Sequence, residues 1–211
     1  MILDMDGVIV DSNPVHTQAW AAYLHQLGRS ADYIDQRMHG RRNDDIVRDF
    51  FGNGLSEQEI HAHGARKEAI YREMMRPQLG ERLVPGVRAF LERHSDVPMG
   101  VASNAEPANV EFILENARLR GYFRVAVDGH QVARPKPDPE IYLKTAELLG
   151  VTAPDCVIFE DSMTGIEAAR LAGARVVGVN TTDAELSGVD LLIRDFTESG
   201  LEGWLATLPG H

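Results

Sequence analysis

The sequence predicts an α/β protein: a Rossmann-like parallel sheet core with an inserted all-helical cap domain. From about Arg82 onward, segments with helical periodicity alternate with short apolar segments. Between residues 13 and 83 the patterns are helical only, and turn-forming residues flank this stretch. Alternating strands and helices favour parallel strands that are covered by helices on both faces. We expect the core to comprise 1–12 and 84–211 and the cap to comprise 13–83.

The core elements follow from local patterns. After the first strand, the predicted strands are the apolar segments PMGVAS, RVAVDG, CVIFED and RVVGVN. The predicted helices between them are VRAFLERHS, EPANVEFILEN, PDPEIYLKTAELLG and MTGIEAARLAG. For the third of these helices, Asp138 and Pro139 supply a cap and a first-turn proline, and Gly150 ends the helix. Its spacing predicts one buried stripe, formed by Ile141, Thr145, Leu148 and Leu149.

The cap is predicted to contain helices alone. After a first helix that begins at Ser12-Asn13-Pro14, helical patterns occur around 31–38, 43–51 and 56–75. The last of these opens with a capping-box pattern, Ser56 with Glu59. Hinges are expected near 9–13 and 78–85, and the second of these is rich in turn-forming residues.

Composition narrows the function classes. The 211 residues are 44% hydrophobic and 25% charged, as in folded globular proteins, and suffice for one core domain with a smaller companion. A net charge of −11 argues against a nucleic-acid binder, which needs a basic surface. Cys156 is the single cysteine, so no internal disulfide can form, and its apolar surroundings predict a buried side chain.

The chain has no apolar run long enough to cross a membrane and no signal-peptide pattern at its N-terminus. We therefore expect a cytoplasmic enzyme, a monomer or weak homo-oligomer, that binds neither nucleic acid nor membrane. Only Met1, Ile2 and Leu3 precede the first acid, whereas strands average about five or six residues. Either the natural chain begins earlier or the central strand is short.

Polar residues cluster at the predicted carboxyl ends of the strands, where open parallel sheets bind ligands. These residues are Asp4, Asp6, Ser103, Asn104, Lys136, Glu160 and Asp161. Four carboxylates at close range could not all stay ionised without a counter-charge. A hard divalent cation resolves this conflict, and Mg²⁺ commonly bridges carboxylates to a substrate phosphate. The pattern therefore predicts a magnesium and phosphate site.

Four segments, DMDGVIVDS, VASNAE, RPKPDPEIY and IFEDSMTGIEAA, resemble the four successive motifs of the haloacid dehalogenase (HAD) superfamily. They occur in the family's order and span nearly the whole chain. The helical insertion after the first motif is similar to the cap of the subgroup that contains β-phosphoglucomutase and many small-molecule phosphatases. Each motif alone is weakly specific, whereas the ordered set is strongly specific.

The resemblance implies catalytic roles for the first motif. Asp4 would be the nucleophile that forms an aspartyl-phosphate, and Asp6 would be the general acid/base. Gly7 would allow the tight turn that brings both side chains to one phosphate. The implied ligands of Mg²⁺ are Asp4, Asp6 through its backbone carbonyl, Asp161, and Glu160 directly or through water.

The resemblance also implies phosphate-binding and substrate residues. Ser103, Asn104 and Lys136 would bind the transferring phosphoryl oxygens, although Ser103 also suits a helix cap and Lys136 a solvated loop. His16 and Lys67 stand where the resembling sugar-phosphate mutases carry cap residues that meet substrate. The alternatives are a first-turn histidine and a snorkelling helix lysine. In HGRRNDDIV, Arg41 or Arg42 would be offered to an anionic group, with Arg42 the preferred candidate.

Two positions depart from the mutase pattern. A mutase needs a second phosphate-binding set, yet Asn43 stands at its cap-loop arginine position and Glu106 at its lysine position. We therefore predict a Mg²⁺-dependent phosphatase that hydrolyses a small phosphorylated metabolite. The alternative is a β-phosphoglucomutase-type sugar-phosphate mutase. A non-catalytic binding protein on the same scaffold is the third possibility. Such a protein would be expected to lack the nucleophile or the lysine, and this sequence has both.

Overall fold

The computed structural model describes residues 1–32, 34, 43–181 and 185–208. Within them, six strands form one parallel sheet in the order β3-β2-β1-β4-β5-β6. The strands are β1 (Ile2–Leu3), β2 (Gly100–Ala102), β3 (Val125–Val127), β4 (Val157–Glu160), β5 (Arg175–Val179) and β6 (Leu191–Ile193). The predicted fold class, a parallel α/β core with an inserted helical cap, is confirmed.

Eight α-helices lie in the described ranges, and none of them combines the length and apolar character of a membrane span. The helices are α1 (Asn13–Gln26), α2 (Asn43–Phe51), α3 (Glu57–Met75), α4 (Val87–Arg93), α5 (Pro107–Asn116), α6 (Glu140–Leu149), α7 (Met163–Leu171) and α8 (Ser199–Leu205). Arg41, Arg42 and most of the helix expected around 31–38 lie outside the described residues.

Helices cover both faces of the sheet. Successive side chains of its central strand point to opposite faces, so each face carries an apolar side chain that must be buried. Ile2 packs into an apolar cluster with residues of α6 and α7, whereas Leu3 packs into a larger cluster with residues of α4, α5 and α8. Both side chains are fully buried, which stabilises the fold by about 1.5–3 kcal/mol each. The central strand is thus short, with only two residues, and is paired on both sides.

The cap helices α1, α2 and α3 share an apolar cluster of their own that includes Trp20, Leu24 and Ile60. The predicted capping box at the start of α3 is present: the Ser56 side chain accepts from the Glu59 amide, and the Glu59 carboxylate accepts from the Ser56 amide. Both orphan amides are therefore satisfied, and the long helix has a defined start.

The two connections between core and cap run side by side. Val10 forms an antiparallel bridge with Leu83, and the Asp11 backbone amide donates to the Arg82 carbonyl at 2.8 Å. The Arg82 side chain also donates to the Asp11 carboxylate at 2.8 Å. This paired segment joins the cap to the core at the two chain connections.

Three predictions for the core need correction. The segment β6–α8 was not predicted, because a three-residue strand is too short to establish a periodicity. In α6, Leu148 is 55% exposed rather than buried. The helix turns its neighbour Leu149, and not Leu148, towards the core. The buried residues of this helix are Ile141, Tyr142, Thr145, Ala146 and Leu149. The N-cap of α6 is Pro139 rather than the expected Asp138, which lies one residue earlier and accepts a hydrogen bond from the Glu140 amide at 3.0 Å.

Candidate active site

Three carboxylates from two distant segments meet at the carboxyl end of the sheet. Asp4 follows β1, while Glu160 ends β4 and Asp161 follows it. The two strands are neighbours, so their ends lie side by side, and each of the three residues offers an oxygen within 4.8 Å of the others. All three side chains are buried. The structure therefore brings together the acids that the sequence pattern placed at one edge.

Lys136 provides the positive charge beneath these acids. Its Nζ donates to Asp4 Oδ1 at 2.6 Å, to Glu160 Oε1 at 2.6 Å and to the Ala102 carbonyl at 3.0 Å. Burial alone would lower the pKa of Lys136, but the carboxylates of Asp4 and Glu160 outweigh burial and raise this pKa. The lysine is therefore a permanent cation here, and the alternative of a solvated loop residue is wrong.

Glu160 is held by donors at both of its oxygens. In addition to Lys136, the Tyr142 hydroxyl donates to Oε1. Oε2 accepts from the Asp161 amide at 3.1 Å and from the amide and hydroxyl of Ser162. Gly165 gives this carboxylate its space, since a Cβ there would lie 1.9 Å from the Glu160 side chain. Sequence reasoning missed Tyr142 and Gly165, although both lie inside motif segments that it had singled out.

The carboxylates resist ionisation in the absence of a further cation. Burial, together with the neighbouring Glu160 and Asp6, raises the pKa of Asp4 to about 7, even though Lys136 acts in the opposite direction. Burial and the charges of Glu160 and Asp4 likewise raise the pKa of Asp161. A divalent cation among these oxygens would remove the repulsion. The donor set, buried and made of oxygen atoms, therefore fits a hard metal ion such as Mg²⁺.

Gly7 permits the first motif to pass close to the fourth. Its φ is +78°, and a Cβ at this position would lie 1.9 Å from Oδ2 of Asp161. Both the left-handed conformation and the lack of space exclude a side chain here. The requirement for glycine comes from this close approach to Asp161 as well as from the turn.

Ser103 and Asn104 follow β2 at the same edge of the sheet. Ser103 is buried, and its hydroxyl accepts from the Ala105 amide at 3.1 Å. The N-cap of α5 is Glu106, so Ser103 does not cap that helix. The Asn104 side chain accepts from the Lys136 backbone amide at 3.3 Å, which links the second and third motif segments.

Asp6 is contacted by Ser12, which lies just before the cap, and by His16 on the cap helix α1. The Ser12 hydroxyl donates to Asp6 Oδ1 at 2.6 Å, and His16 Nε2 lies 3.5 Å from the same oxygen. Burial would raise the pKa of Asp6, but the contacts with His16 and Ser12 outweigh it and lower this pKa. The Asp6 carboxylate is therefore ionised at neutral pH in this arrangement.

His16 and Lys67 lie together beside Asp6. Lys67 Nζ lies 2.8 Å from His16 Nδ1, and the other ring nitrogen, Nε2, faces Asp6. The His16 ring stacks on Tyr71 at 3.8 Å. The Lys67 side chain is 2% exposed, so the alternative of a snorkelling surface lysine is wrong. The structure brings both predicted cap residues to the site, whereas Arg42 lies outside the described residues.

A buried acid that sequence reasoning missed supports this pair. Glu68 Oε1 accepts from Lys67 Nζ at 2.8 Å and from the Asn43 side chain at 2.5 Å, while Oε2 accepts from Asn109 at 2.7 Å. Burial would raise the pKa of Glu68, but the charges of Lys67 and His16 and the hydrogen bonds from Lys67 and Asn109 lower it to about 2. Helical periodicity contained no signal for this residue, because its partners come from separate elements.

A family model for haloacid dehalogenase-like hydrolases matches residues 1–173. This match covers most of the chain and includes all four segments that meet in the site. The chain belongs to the haloacid dehalogenase-like hydrolase family. The predicted family is therefore confirmed.

Relatives of this HAD-like hydrolase include a phosphatase and mutases. Fructose-1-phosphate phosphatase YqaB of Escherichia coli (strain K12) is 32% identical over 180 residues, covering 85% of this chain and 95% of that protein. The β-phosphoglucomutase of Bacillus subtilis (strain 168) is 30% identical over 214 residues, covering 96% and 92%. The crystal structure of β-phosphoglucomutase from Clostridium difficile has a TM-score of 0.86 at 23% identity, covering 97% of this chain and 94% of that chain, and shows a shared fold. The prediction of a HAD-type phosphomonoester hydrolase is confirmed.

Proposed function

We propose that this protein is a Mg²⁺-dependent phosphatase that hydrolyses a small sugar phosphate through an aspartyl-phosphate intermediate. One observation carries the proposal: Asp4 is paired with the buried cation Lys136 and shares a 4.8 Å cluster with Glu160 and Asp161. Phosphoryl transfer needs chiefly positioning and charge neutralisation, and this arrangement supports both. The relationship to a fructose-1-phosphate phosphatase supports sugar phosphates as the substrate class.

Each catalytic step has an assigned residue. In the first step, an Asp4 oxygen bonds to phosphorus while the ester P–O bond breaks. The less populated, protonated form of Asp6 donates its proton to the departing oxygen in this step. In the second step, Asp6 takes a proton from the attacking water as the water oxygen bonds to phosphorus. The P–O bond to Asp4 breaks, which restores the Asp4 carboxylate and releases inorganic phosphate. Lys136, Ser103 and Asn104 bind the phosphoryl oxygens throughout. The lowered pKa of Asp6 suits its role as base in the second step.

Mg²⁺ would be held by Asp4, Asp161 and the backbone carbonyl of Asp6, and when bound it supplies charge neutralisation for the phosphoryl group. We propose that Glu160 would contact the ion through a water molecule and not directly. Both of its oxygens already accept hydrogen bonds, including those from Lys136 and Tyr142. Its main task would be to hold Lys136 in place.

The contacts of Asn43 and Glu106, the two positions that differ from the mutase pattern, favour hydrolysis over the mutase alternative. Asn43, where a mutase-like arginine would stand, donates to Glu68. Glu106, where a mutase-like lysine would stand, accepts from Arg72 at 2.5 Å. Neither position offers a positive charge to a second phosphate, and Arg72 is engaged by the acid. A bisphosphate intermediate would therefore lack these two cations.

The test is a panel of sugar phosphates assayed for phosphate release and followed by ³¹P NMR. We expect metal-dependent release of inorganic phosphate, with loss of turnover in EDTA and in Asp4→Asn. The matched control is the exposed acid Asp96, and Asp96→Asn should retain full activity. Conversion of β-glucose 1-phosphate to the 6-phosphate after bisphosphate priming, with little phosphate released, would replace the phosphatase with the mutase.

A further inference from the structure

We propose that Asn109 on α5 and Glu106 at its N-cap form a docking site for the cap helix α3, and that Asn109 is a positioning residue for Asp6. The partners on α3 are Glu68 and Arg72, and we call these four residues the docking cluster. The inference rests on the proposed function, since it assigns the cluster a task in the same reaction. The task is to hold the cap against the core so that His16 and Lys67 lie beside Asp6.

The docking cluster uses both polar atoms of the Asn109 side chain. Its Nδ2 donates to Glu68 Oε2 at 2.7 Å, and its Oδ1 accepts from Arg72 Nη1 at 2.7 Å. Glu68 and Arg72 are four residues apart, so they lie one helical turn apart on one face of α3. A carboxylate can only accept and a guanidinium can only donate, so one amide orientation alone satisfies both.

Two members of the cluster are shielded from water, and each of its charged groups is paired with an opposite charge, Glu68 with Lys67 and Arg72 with Glu106. Asn109 is 1% exposed and Glu68 is 3% exposed. Arg72 Nη1 also donates to Glu106 Oε1 at 2.5 Å, which places an ion pair beside the buried amide. Buried polar groups are costly when unpaired, so these groups favour the docked arrangement, in which each has a partner.

A continuous series of hydrogen-bonding groups leads from the docking cluster to the proposed acid/base. Glu68 accepts from Lys67 at 2.8 Å, and Lys67 donates to His16 Nδ1 at 2.8 Å. His16 Nε2 lies 3.5 Å from Asp6 Oδ1. The series therefore starts on the core at Asn109, passes through two cap helices and returns to the core at Asp6.

This arrangement couples two contacts between cap and core. When the cap separates from α5, Glu68 loses Asn109, and the His16–Lys67 pair that Glu68 orients loses its anchor on the core. Helix α5 follows directly after the predicted phosphate-binding residues Ser103 and Asn104. The cluster thus fixes the cap against the same segment that would bind the phosphoryl group. Loss of the cluster should slow the chemical steps more than it weakens phosphate binding.

The decisive variant is Asn109→Asp, which keeps the shape of the side chain and the acceptor for Arg72. It replaces the donor to Glu68 with a carboxylate, so two acids repel at the docking contact. Using the best sugar phosphate of the panel, we expect kcat to fall at least 30-fold with KM changed by less than threefold. Hydrogen exchange of backbone amides in α3 and α5 should become faster.

The double variant Glu68→Gln with Asn109→Asp restores the hydrogen bond with its direction reversed, because the new amide donates to the new carboxylate. We expect log kcat of the double variant to regain at least a third of the decrease caused by Asn109→Asp. Asn116 supplies a matched control, since it accepts from Arg76 at 3.2 Å in an exposed contact on the same two helices. Asn116→Asp should leave kcat within twofold of the parent value.

A second variant, Glu106→Gln, covers the case in which Asn109→Asp does not fold. It keeps an acceptor for Arg72 and removes the charge, and kcat should fall three- to tenfold with little change in melting temperature. The proposal is overturned if every folded variant of the cluster keeps parental kcat, if the loss lies in KM alone, or if the double variant recovers nothing. Hydrogen exchange requires no substrate, so an inactive parent protein would overturn the proposed function without touching the docking contact.

Discussion

Lys136 and Asp4 form an ion pair that is almost entirely removed from water. Lys136 Nζ lies 2.6 Å from Asp4 Oδ1, and the two side chains are 4% and 9% exposed. Glu160 lies at the same distance from Nζ, so one cation is shared by two carboxylates. Lys136 comes from the loop after β3, while the acids come from β1 and β4. The pair therefore ties an edge strand of the sheet to its centre at the point where we place the chemistry.

Substitution of Lys136 should damage stability as well as activity. Lys136→Met leaves two buried carboxylates without their cation, and breaking a buried pair in this way typically costs about 3–5 kcal/mol. We expect the free energy of unfolding, measured by urea denaturation, to fall by roughly this amount. Phosphate release should fall below detection, because the phosphoryl group loses its bound cation.

Lys144→Met is the matched control, since Lys144 lies on α6, the helix after Lys136, and donates to a backbone carbonyl at the surface. Surface substitutions of this kind change stability by about 0.5 kcal/mol or less. Equal losses of stability for Lys136→Met and Lys144→Met would contradict the importance of the buried pair.

Much of the site could be predicted from the sequence because parallel topology is a strong constraint. Once strands and helices alternate, the carboxyl ends of the strands must share one edge, and polar residues at those ends must meet. Asp4, Asp161 and Lys136 were assigned in this way, and the structure brings them together. Their roles in the reaction remain predictions.

The contacts that support these residues could not be read from local patterns. Tyr142 occupies a buried helical position in which any large side chain would fit the periodicity, so its hydroxyl bond to Glu160 gives no sequence signal. Glu68 likewise lies on a polar helix, and its burial depends on Asn109, 41 residues further along the chain. Burial that arises from tertiary contact has no local periodicity to reveal it.

Gly165 should tolerate no side chain. In Gly165→Ala the added Cβ would lie 1.9 Å from the Glu160 carboxylate, which would have to move away from Lys136. Overpacking of this kind costs about 1–3 kcal/mol, and we expect activity to fall along with stability. Thermal unfolding and phosphate release measure the two effects.

Gly203→Ala provides the comparison, because Gly203 is also helical and a Cβ there meets nothing within 4 Å. This change should raise stability by about 0.5–1 kcal/mol, since alanine has the higher helix propensity. A stabilising effect of Gly165→Ala would show that Glu160 has free space.

Mg²⁺ should stabilise the folded protein, because the residues proposed to bind it come together only there. At about 100 times its dissociation constant, the ion contributes about 2.7 kcal/mol, which for a chain of this size corresponds to about 5–10 °C in melting temperature. The raised pKa values of Asp4 and Asp161 mean that protons compete with the metal, so the shift should grow as pH rises through neutrality. Differential scanning fluorimetry with and without EDTA measures it.

Asp161→Asn should abolish this thermal shift, whereas Asp96→Asn, at an exposed position, should retain it. A shift of equal size in the parent protein and in Asp161→Asn would place the bound ion elsewhere.

Glu68 should make stability depend on pH in the acid range. Its pKa is lowered from 4.5 to about 2 in the folded protein, so the folded state binds its proton more weakly than the unfolded state does. The carboxylate therefore contributes stability that is fully present well above pH 4.5, about 3 kcal/mol by linkage. That contribution is lost as pH falls from about 4.5 towards 2.

Glu68→Gln removes the titration, so the stability difference between the parent protein and this variant should shrink by about 1.4 kcal/mol per pH unit within that window. Urea denaturation at several pH values measures the difference directly. Glu73→Gln, at an exposed position of the same helix, should show no comparable narrowing. If the difference between parent and Glu68→Gln stays constant from neutral pH into the acid range, Glu68 is not held as a buried carboxylate by Lys67 and Asn109.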